Sequence, residues 1–479
     1  MIHLYDQDTI DSAPWPETEH GRYARRFLTP LVREGTARFF SDRTTMRVVG
    51  MDGLMFPIAI NEAEYDNSGN TSTFARYIQK AREGIRHRGW SPTRTALASG
   101  ALAGLGALLK AASIDRCVYV GNWLILRGME PVLDPDQAAR LTAFLVERFP
   151  RHAVVFSAIN PVTHHVLLES LVRCDYQLIY AGHTRMLLPQ APLGHLERKH
   201  RHADAMLWEK TGYQLVPGEQ VEGCAPRLAE LYRALNCEKH STNPMVFAEL
   251  FERALRDGTL TIRVARKDGR IDGFYGFTAH DGVLFVPVIG YDMSLSKKVG
   301  LYRMLMYQAL RDALERCLTI ENGAGADEFK SLRGDLPVPK YGAIQVSHLP
   351  AYRRKAWSAL QAYANGPFLA SARGYLRKLD GEAAASAFAS IPRTFPPPPL
   401  TPSAAEAAMR GELESLRRSL DQAEGLEGGE LDARVAALSE QLARWPRMSR
   451  PLEEMAQRLE TLARRGRPPG SRRKKRPAK

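Results

Sequence analysis

A mixed α/β (α+β) fold built from two consecutive halves is what this 479-residue sequence predicts. Three observations carry the prediction. Two stretches repeat one order of elements without repeating letters: antiparallel strands, then strand, helix, strand, helix, strand. The strict strand–helix alternation of a doubly wound sheet is absent. Neither a GxGxxG after a first strand nor a GxxxxGK[ST] loop occurs, which disfavours nucleotide-binding folds.

In the first half, Met46–Val49 and Leu54–Ile60 read as a hairpin around Asp52-Gly53. Ala96 to Ile114 is an apolar run of Ala, Gly and Leu; its glycines and Lys110 favour a buried core helix over a membrane span. A strand at Cys117–Leu126, a helix at Pro135–Arg148, a strand at Ala153–Ser157, a helix at Pro161–Val172 and a strand at Tyr176–Leu188 follow. The buried strand residue Asn122 needs hydrogen-bond partners, and Asn67 to Thr73 is a polar, turn-rich loop. The second half opens with helices at Ala225–Leu235 and Pro244–Arg256, the latter capped by Asn243. Strands at Leu260–Arg266, Gly273–His280 and Val283–Gly290 are joined by the hairpin signals Asp268-Gly269 and Asp281-Gly282. A helix at Leu301–Arg316, a strand at Cys317–Asn322, a short helix at Asp327–Leu332 and a strand near Ala343–Ser347 complete it.

Composition places the boundaries. Residues 1–190 form the first half, with Gln190–Ala203 as a polar linker, and 204–350 the second. Further helices occupy 351–390, and the stiff spacer 391–402 contains TFPPPPLTP. Residues 403–463 are Ala/Leu/Glu/Arg-rich and read as a helical, coiled segment; Leu416, Leu420, Leu438, Leu442, Leu459 and Leu462 suit a helical hairpin or self-association. The tail 464–479 holds nine basic residues and no acids, so it carries nine of the net +13 and cannot fold alone. Its partners would be polyanions or an acidic carrier protein. The five cysteines lie apart with no CxxC pair, which argues against a disulfide framework or a zinc finger and for a reducing compartment. With a polar, acid-containing start from Met1 to Pro16, a cytoplasmic location is expected. His164 and His165, adjacent in sequence, and the distant His183 offer no metal spacing, so no metal is expected.

The most informative stretch is LTIENGAGADEFKSLRGDLPVPKY, Leu318–Tyr341. An apolar strand runs through Asn322 into a glycine turn, Gly323 and Gly325, where the backbone can approach a ligand. The turn opens a helix with free N–H groups, and Lys330 and Arg333, three apart, share one face of it. Such a constellation suits a phosphate or a developing oxyanion, although two solvated surface cations would give the same letters. The stretch resembles the G…FK…RG signature of GNAT-like proteins grouped with CelD-type and FemAB-type transferases. FemAB-type enzymes contain two GNAT-like halves, so the resemblance implies tandem GNAT-like mixed-sheet halves, the first degenerate. It also implies that Phe329 and Lys330 lie at the transfer site, with Lys330 stabilising charge or holding an acceptor phosphate.

In ordinary GNAT enzymes a Q/R-x-x-G-x-G/A loop wraps the pyrophosphate of coenzyme A. Here Lys297-Lys298-Val299-Gly300-Leu301-Tyr302 keeps the basic start and one glycine but places Tyr302 where a small residue is usual. Lys297, Lys298 and Gly300 are the candidate donor-binding residues. Asp292 and Tyr291, at a strand end, are candidates to accept a proton from an amine and to return one to a thiol; a loop cap and a half-buried aromatic are the plainer alternatives. His240, in NCEKHSTNP, is a further acid–base candidate. With these residues, the resemblance implies an N-acyltransferase that uses an acyl-CoA or acyl-carrier-protein thioester and a small-molecule amine. A FemAB-like aminoacyl-tRNA-dependent transferase and a non-catalytic scaffold binding nucleic acid through its tail are the alternatives.

Overall fold

The computed structural model describes residues 1–86, 89–188, 194–238, 243–399, 401–443 and 450–465. The first half runs β1 (Ile2–Tyr5), α1 (Glu19–Glu34), β2 (Thr45–Met51), β3 (Leu54–Glu62), α2 (Lys80–Arg86), α3 (Pro92–Ala111), β4 (Arg116–Val120), α4 (Pro135–Arg148), β5 (Ala153–Ile159), α5 (His165–Arg173) and β6 (Gln177–Leu187). After α6 (His195–Thr211), the second half runs β7 (Gln214–Pro217), α7 (Ala225–Arg233), α8 (Ala248–Asp257), β8 (Thr261–Lys267), β9 (Arg270–His280), β10 (Val283–Tyr291), α9 (Leu301–Glu315), β11 (Thr319–Gly323), α10 (Asp327–Ser331) and β12 (Leu336–Gln345). The helices α11 (Ala351–Tyr363), α12 (Leu369–Ser386), α13 (Pro402–Ala423), α14 (Gly428–Ala443) and α15 (Arg450–Arg465) follow.

Among the described residues twelve strands join one sheet in the order β1-β2-β3-β4-β5-β12-β6-β11-β10-β9-β8-β7. Each half supplies the same series, with β4∥β5 in the first matching β10∥β11 in the second. The last strands have exchanged places: β12 pairs with β5 of the first half, and β6 pairs with β11 of the second. The halves are therefore stitched together through β6 and β12, which also pair with each other. The tandem mixed-sheet fold expected from the sequence is present, more interlocked than element order alone implies. All three predicted Asp-Gly pairs take positive φ at both residues, the geometry of tight hairpin turns.

Several local expectations are corrected. The helix expected to be core, α3, is largely exposed; Leu102, Gly106 and Leu109 form its buried stripe, while Leu97 is 71% exposed. Among the described residues no helix is long and apolar enough to cross a membrane. Strand β4 ends at Val120 because Gly121 and Leu124 turn to positive φ; the side chain of Asn122 then accepts from Leu124 N and donates to Asn70 O. From His195 the supposed linker is helix α6, with Arg201 and Asp204 buried. Helix α8 starts at Ala248 after Phe247, not at Pro244. Strand β12 begins at Leu336, despite Pro337 and Pro339. Those prolines face Arg185 and His183 of β6 at positions where the ladder asks no N–H of them, and β5 reaches β12 only from Tyr341 onward.

The leucines of 403–463 close a cluster among α13, α14 and α15 within the chain, Leu416 and Leu420 meeting Leu438, Leu442, Leu459 and Leu462. Helix α13 is anchored on the second half by Ser403 Oγ donating to Asp281 O and Arg410 donating to Arg316 O. The basic tail beyond Arg465 lies outside the described residues.

Candidate active site

β10 and β11 pair only at Val283–Phe285 with Thr319–Glu321. A bulge then shifts β10 against β9, and β10 continues to Tyr291 while β11 turns to β6. The sheet opens here into a wedge between the end of β10 and Asn322–Gly323. On one side Lys297 and Lys298, both exposed, form a tight turn that Gly300, at φ 75°, hands to α9. A side chain at Gly300 would collide with Leu207 of α6, 2.7 Å from its Cβ position. An aromatic series spans the wedge: Tyr291, Tyr302 and Phe329, with centroids 6.3 and 4.9 Å apart. The guanidinium of Arg333 lies 3.5 Å from the centroid of the Phe329 ring. Tyr302, the departure noted in the sequence, is the middle ring. Burial pushes the phenols of Tyr302 and Tyr291 up, so both stay protonated at neutral pH.

Lys330 is buried, and its ammonium faces the glycine turn, donating to the carbonyls of Asn322 (2.7 Å), Gly323 (3.2 Å) and Ala324 (3.4 Å). Burial lowers its pKa to about 8, against the pull of Asp335 and Asp327. Gly323 and Gly325 serve the turn by their positive φ, 67° and 85°, rather than by close packing, since nothing lies within 4 Å of either Cβ position. Arg333 does not share a ligand face with Lys330. Helix α10 ends at Ser331, and Arg333 turns to Asp204 of α6, donating from Nε (2.5 Å) and Nη2 (2.9 Å), and to Phe329 O (2.8 Å). Asp204 also receives Arg303 of α9 at 2.8 Å.

Beside the turn lies a buried ionic cluster that sequence reasoning missed. Arg185 of β6, with no exposed side-chain surface, donates to Asp327 (3.0 Å), to both oxygens of Asp380 (2.7 and 2.8 Å) and to Asp335 O (3.2 Å). His183 meets Asp327 at 3.0 Å. Burial would raise the Asp327 carboxyl, but His183 and Arg185 hold it well below the usual carboxylate range. Asn322 donates to Asp335 at 2.5 Å, while its own side-chain oxygen is buried without a partner among the described residues. The available signal was HTR in an apolar strand, a histidine and an arginine at alternating positions on one face.

Asp292 accepts from Ser294 Oγ (2.6 Å), Ser294 N (2.9 Å) and Arg227 (2.8 Å). Those bonds, Ser294 first, lower its carboxyl below the usual range despite some burial, which makes it a loop cap and a weak base. His240 lies outside the described residues. Among the described residues no group of three His, Cys, Asp or Glu side chains is placed to hold a metal ion. A groove of about 560 Å³ between α7, α8 and Ala37–Arg38 contains none of the candidate residues.

The polar loop of the first half is a buried lattice. Asp42 accepts from Ser68 N (2.9 Å), Ser68 Oγ (2.6 Å) and Thr71 Oγ1 (2.8 Å), and Asp115 accepts from Ser72 Oγ (2.5 Å) and Phe74 N (2.8 Å). Burial raises the Asp115 carboxyl to about 7. The folded protein thus keeps this proton where the unfolded chain has released it. Stability is expected to fall as pH rises from about 4 to about 7, by up to roughly 4 kcal/mol, and then to level off. Asp115→Asn should flatten that part of the curve in urea titrations at several pH values. An unaltered slope would refute the assignment.

Comparison with known proteins fits this geometry. Residues 198–331 match the family model described as an acetyltransferase (GNAT) domain. This part of the second half is a GNAT domain. The match takes in α6 from Arg198, the wedge, the glycine turn and α10. No curated protein matches the chain. Among solved structures, the C-terminal domain (DUF2156) of a putative lysylphosphatidylglycerol synthetase from Agrobacterium fabrum is 16% identical over 49% of this chain and 80% of its own, at a TM-score of 0.36. FemX is 9% identical over 73% and 97%, at 0.42. A tandem GNAT protein from the clavulanic acid biosynthesis pathway is 11% identical over 73% and 100%, at 0.29. Superpositions this loose assign no substrate to the GNAT domain.

Proposed function

We propose that the protein is an N-acyltransferase that moves an acyl group from a thioester, acyl-CoA or acyl-carrier protein, to a primary amine by direct attack. The observation that carries the reading is the wedge between β10 and β11 inside the region matched as a GNAT domain. Lys297 and Lys298 beside the start of α9 suit a donor phosphate. The thioester arm would enter the wedge once Tyr302 swings from between Tyr291 and Phe329. The amine nitrogen then bonds to the carbonyl carbon, the C–S bond breaks, the amine's surplus proton passes to solvent water, and the departing thiolate gains one. Tyr291, kept protonated, suits that last transfer. Lys330 acts as a positioning group, holding the glycine turn beside the reacting centre.

A second reading has its own support. The aromatic series across the wedge favours a donor other than coenzyme A, such as an aminoacyl-tRNA. The experiment is mass spectrometry of the full-length protein incubated with an amine panel and, separately, acyl-CoAs, acyl-carrier proteins and aminoacyl-tRNAs. An acylated amine with a thioester donor is expected. Consumption of aminoacyl-tRNA alone would establish the second reading, and no consumption of any donor would end both. A cytoplasmic location and a polyanion or acidic carrier at the basic tail belong to the same proposal. Self-association through 403–463 would have to use the outer faces of α13–α15, since their leucines face inward.

A further inference from the structure

Four cationic side chains of no assigned role gather in the first half near β12. Arg76 lies on the helical turn that follows the Asp42–Asp115 lattice, Lys80 at the first residue of α2, Arg127 on the chain leaving β4, and Lys340 at the β12 bulge. The helical turn lies over β12, because Tyr77 Oη is 3.7 Å from the Cβ position of Gly342. Lys340 is only 8% exposed and, among the described residues, has no hydrogen-bond or ion-pair partner. Nη2 of Arg76 is likewise buried without a partner. Arg127 is oriented by one bond, to Asn70 Oδ1 at 3.0 Å, and Asn70 is in turn held through its carbonyl by Asn122.

The nearby acids are already engaged. Glu130 pairs with His164 at 2.8 Å, Glu321 accepts from Thr184 at 2.8 Å, and Asp327 holds Arg185 and His183. Glu83 and Asp327 offset Lys80 only in part. Burial and mutual repulsion lower Arg76 to about 10 and push Lys340 well down. Lys80 is exposed and Arg76 and Arg127 are half-buried; the protein around Lys80, then Arg76 and Arg127, lower its pKa. Lys340, the buried member of the four, and the buried Nη2 of Arg76 are left without partners among the described residues, which disfavours their charged forms. Like charges that converge on unpartnered donors, with Arg127 oriented by Asn70, are the arrangement of a site awaiting an anion.

We propose that Arg76, Lys80, Arg127 and Lys340 form a binding site for a phosphoryl group of the phosphate or pyrophosphate class. Such a group can belong to a phosphorylated acceptor or to the donor. Assigning it to the acceptor rests on the transfer proposed above, whereas the binding itself does not. The test is calorimetric titration of the full-length protein with inorganic phosphate, inorganic pyrophosphate and coenzyme A. Lys340→Met, Arg127→Met and the double variant Lys297→Ala/Lys298→Ala are titrated alongside. Pyrophosphate or phosphate is expected to bind the parent and the double variant alike, and at least tenfold more weakly to Lys340→Met and Arg127→Met.

A thermal melt without ligand guards against mere misfolding. Lys340→Met removes an unpartnered charge, so it should melt at or above the parent's temperature, whereas a lysine with a structural role would leave the variant less stable. Coenzyme A binding that depends on Lys340 would support the site and name the donor as its source. Coenzyme A binding that depends only on Lys297 and Lys298, beside pyrophosphate binding that needs Lys340, would support it and name the acceptor. Absence of phosphate and pyrophosphate binding, or equal binding by Lys340→Met, would overturn the proposal. Both results are read without turnover, so they stand apart from the fate of the acyltransferase reading.

Discussion

Arg185→Met is expected to remove roughly 3–5 kcal/mol of unfolding free energy, the usual consequence of taking one partner from a buried ionic group. The side chain is wholly buried on β6, the strand that pairs with both β12 and β11. Its guanidinium ties Asp380 of α12, Asp327 of α10 and the carbonyl of Asp335 to that strand. Methionine would fill much of the volume and leave two carboxylates without their main cation. The pH sign is fixed by Asp327, whose folded pKa is depressed. Its stabilising contribution is present above about pH 4, the unfolded value, and is lost as pH falls through the folded one. Urea unfolding at pH 7 and pH 3 should therefore show the variant's deficit shrinking in acid. The double variant Arg185→Met/Asp380→Leu should recover part of the loss, a coupling that a double-mutant cycle reads directly. A deficit below about 1 kcal/mol at pH 7 would mean that the cluster is dispensable.

What the sequence made legible, and what it hid, divides along physical lines. The Asp-Gly hairpins and the repeated strand–helix order depend on neighbours within a few residues, and they lie where they were expected. The exchange of β6 and β12 depends on contacts between strands about 150 residues apart, on which local pattern is silent. The strand expected near Ala343–Ser347 starts earlier, at Leu336, because its β5 neighbour arrives only at Tyr341 and leaves Pro337 and Pro339 unconstrained on that side. In the candidate site, the glycine turn and Lys330 were identifiable as a pair from GAGADEFK. The direction of the lysine was not: it points back at three carbonyls of its own turn. Asp204, on a segment that read as linker or its edge, neutralises Arg333, which local spacing had matched with Lys330. Charge pairs formed between α6, α9 and the turn after α10 leave no periodic trace in any one of them.

Lys330→Ala is expected to lower kcat/KM of the proposed transfer on the order of 100-fold, the scale on which a displacement of about 1 Å in a reacting geometry acts. The lysine contributes no free proton to a substrate in this arrangement, because its three donors meet Asn322 O, Gly323 O and Ala324 O. Its removal would release a turn made of Gly323, Gly325 and Ala326, all at positive φ, and with it the start of α10 that carries Phe329. A pH profile separates this from a purely structural loss. With the folded pKa lowered to about 8, the ammonium is present below that value and gives way above it, so activity should decline on an alkaline limb near pH 8. The depressed lysine also makes stability rise, not fall, between about pH 8 and 10.5, since the unfolded chain holds the proton longer. Lost activity on that limb would then occur while the fold grows more stable, which excludes unfolding as its cause. Lys330→Arg, which keeps its charge throughout, should move the limb upward even if its longer side chain lowers the plateau. An alanine variant within about threefold of the parent, or an arginine variant with the parent's alkaline limb, would detach Lys330 from the chemistry and leave the wedge without its positioning group.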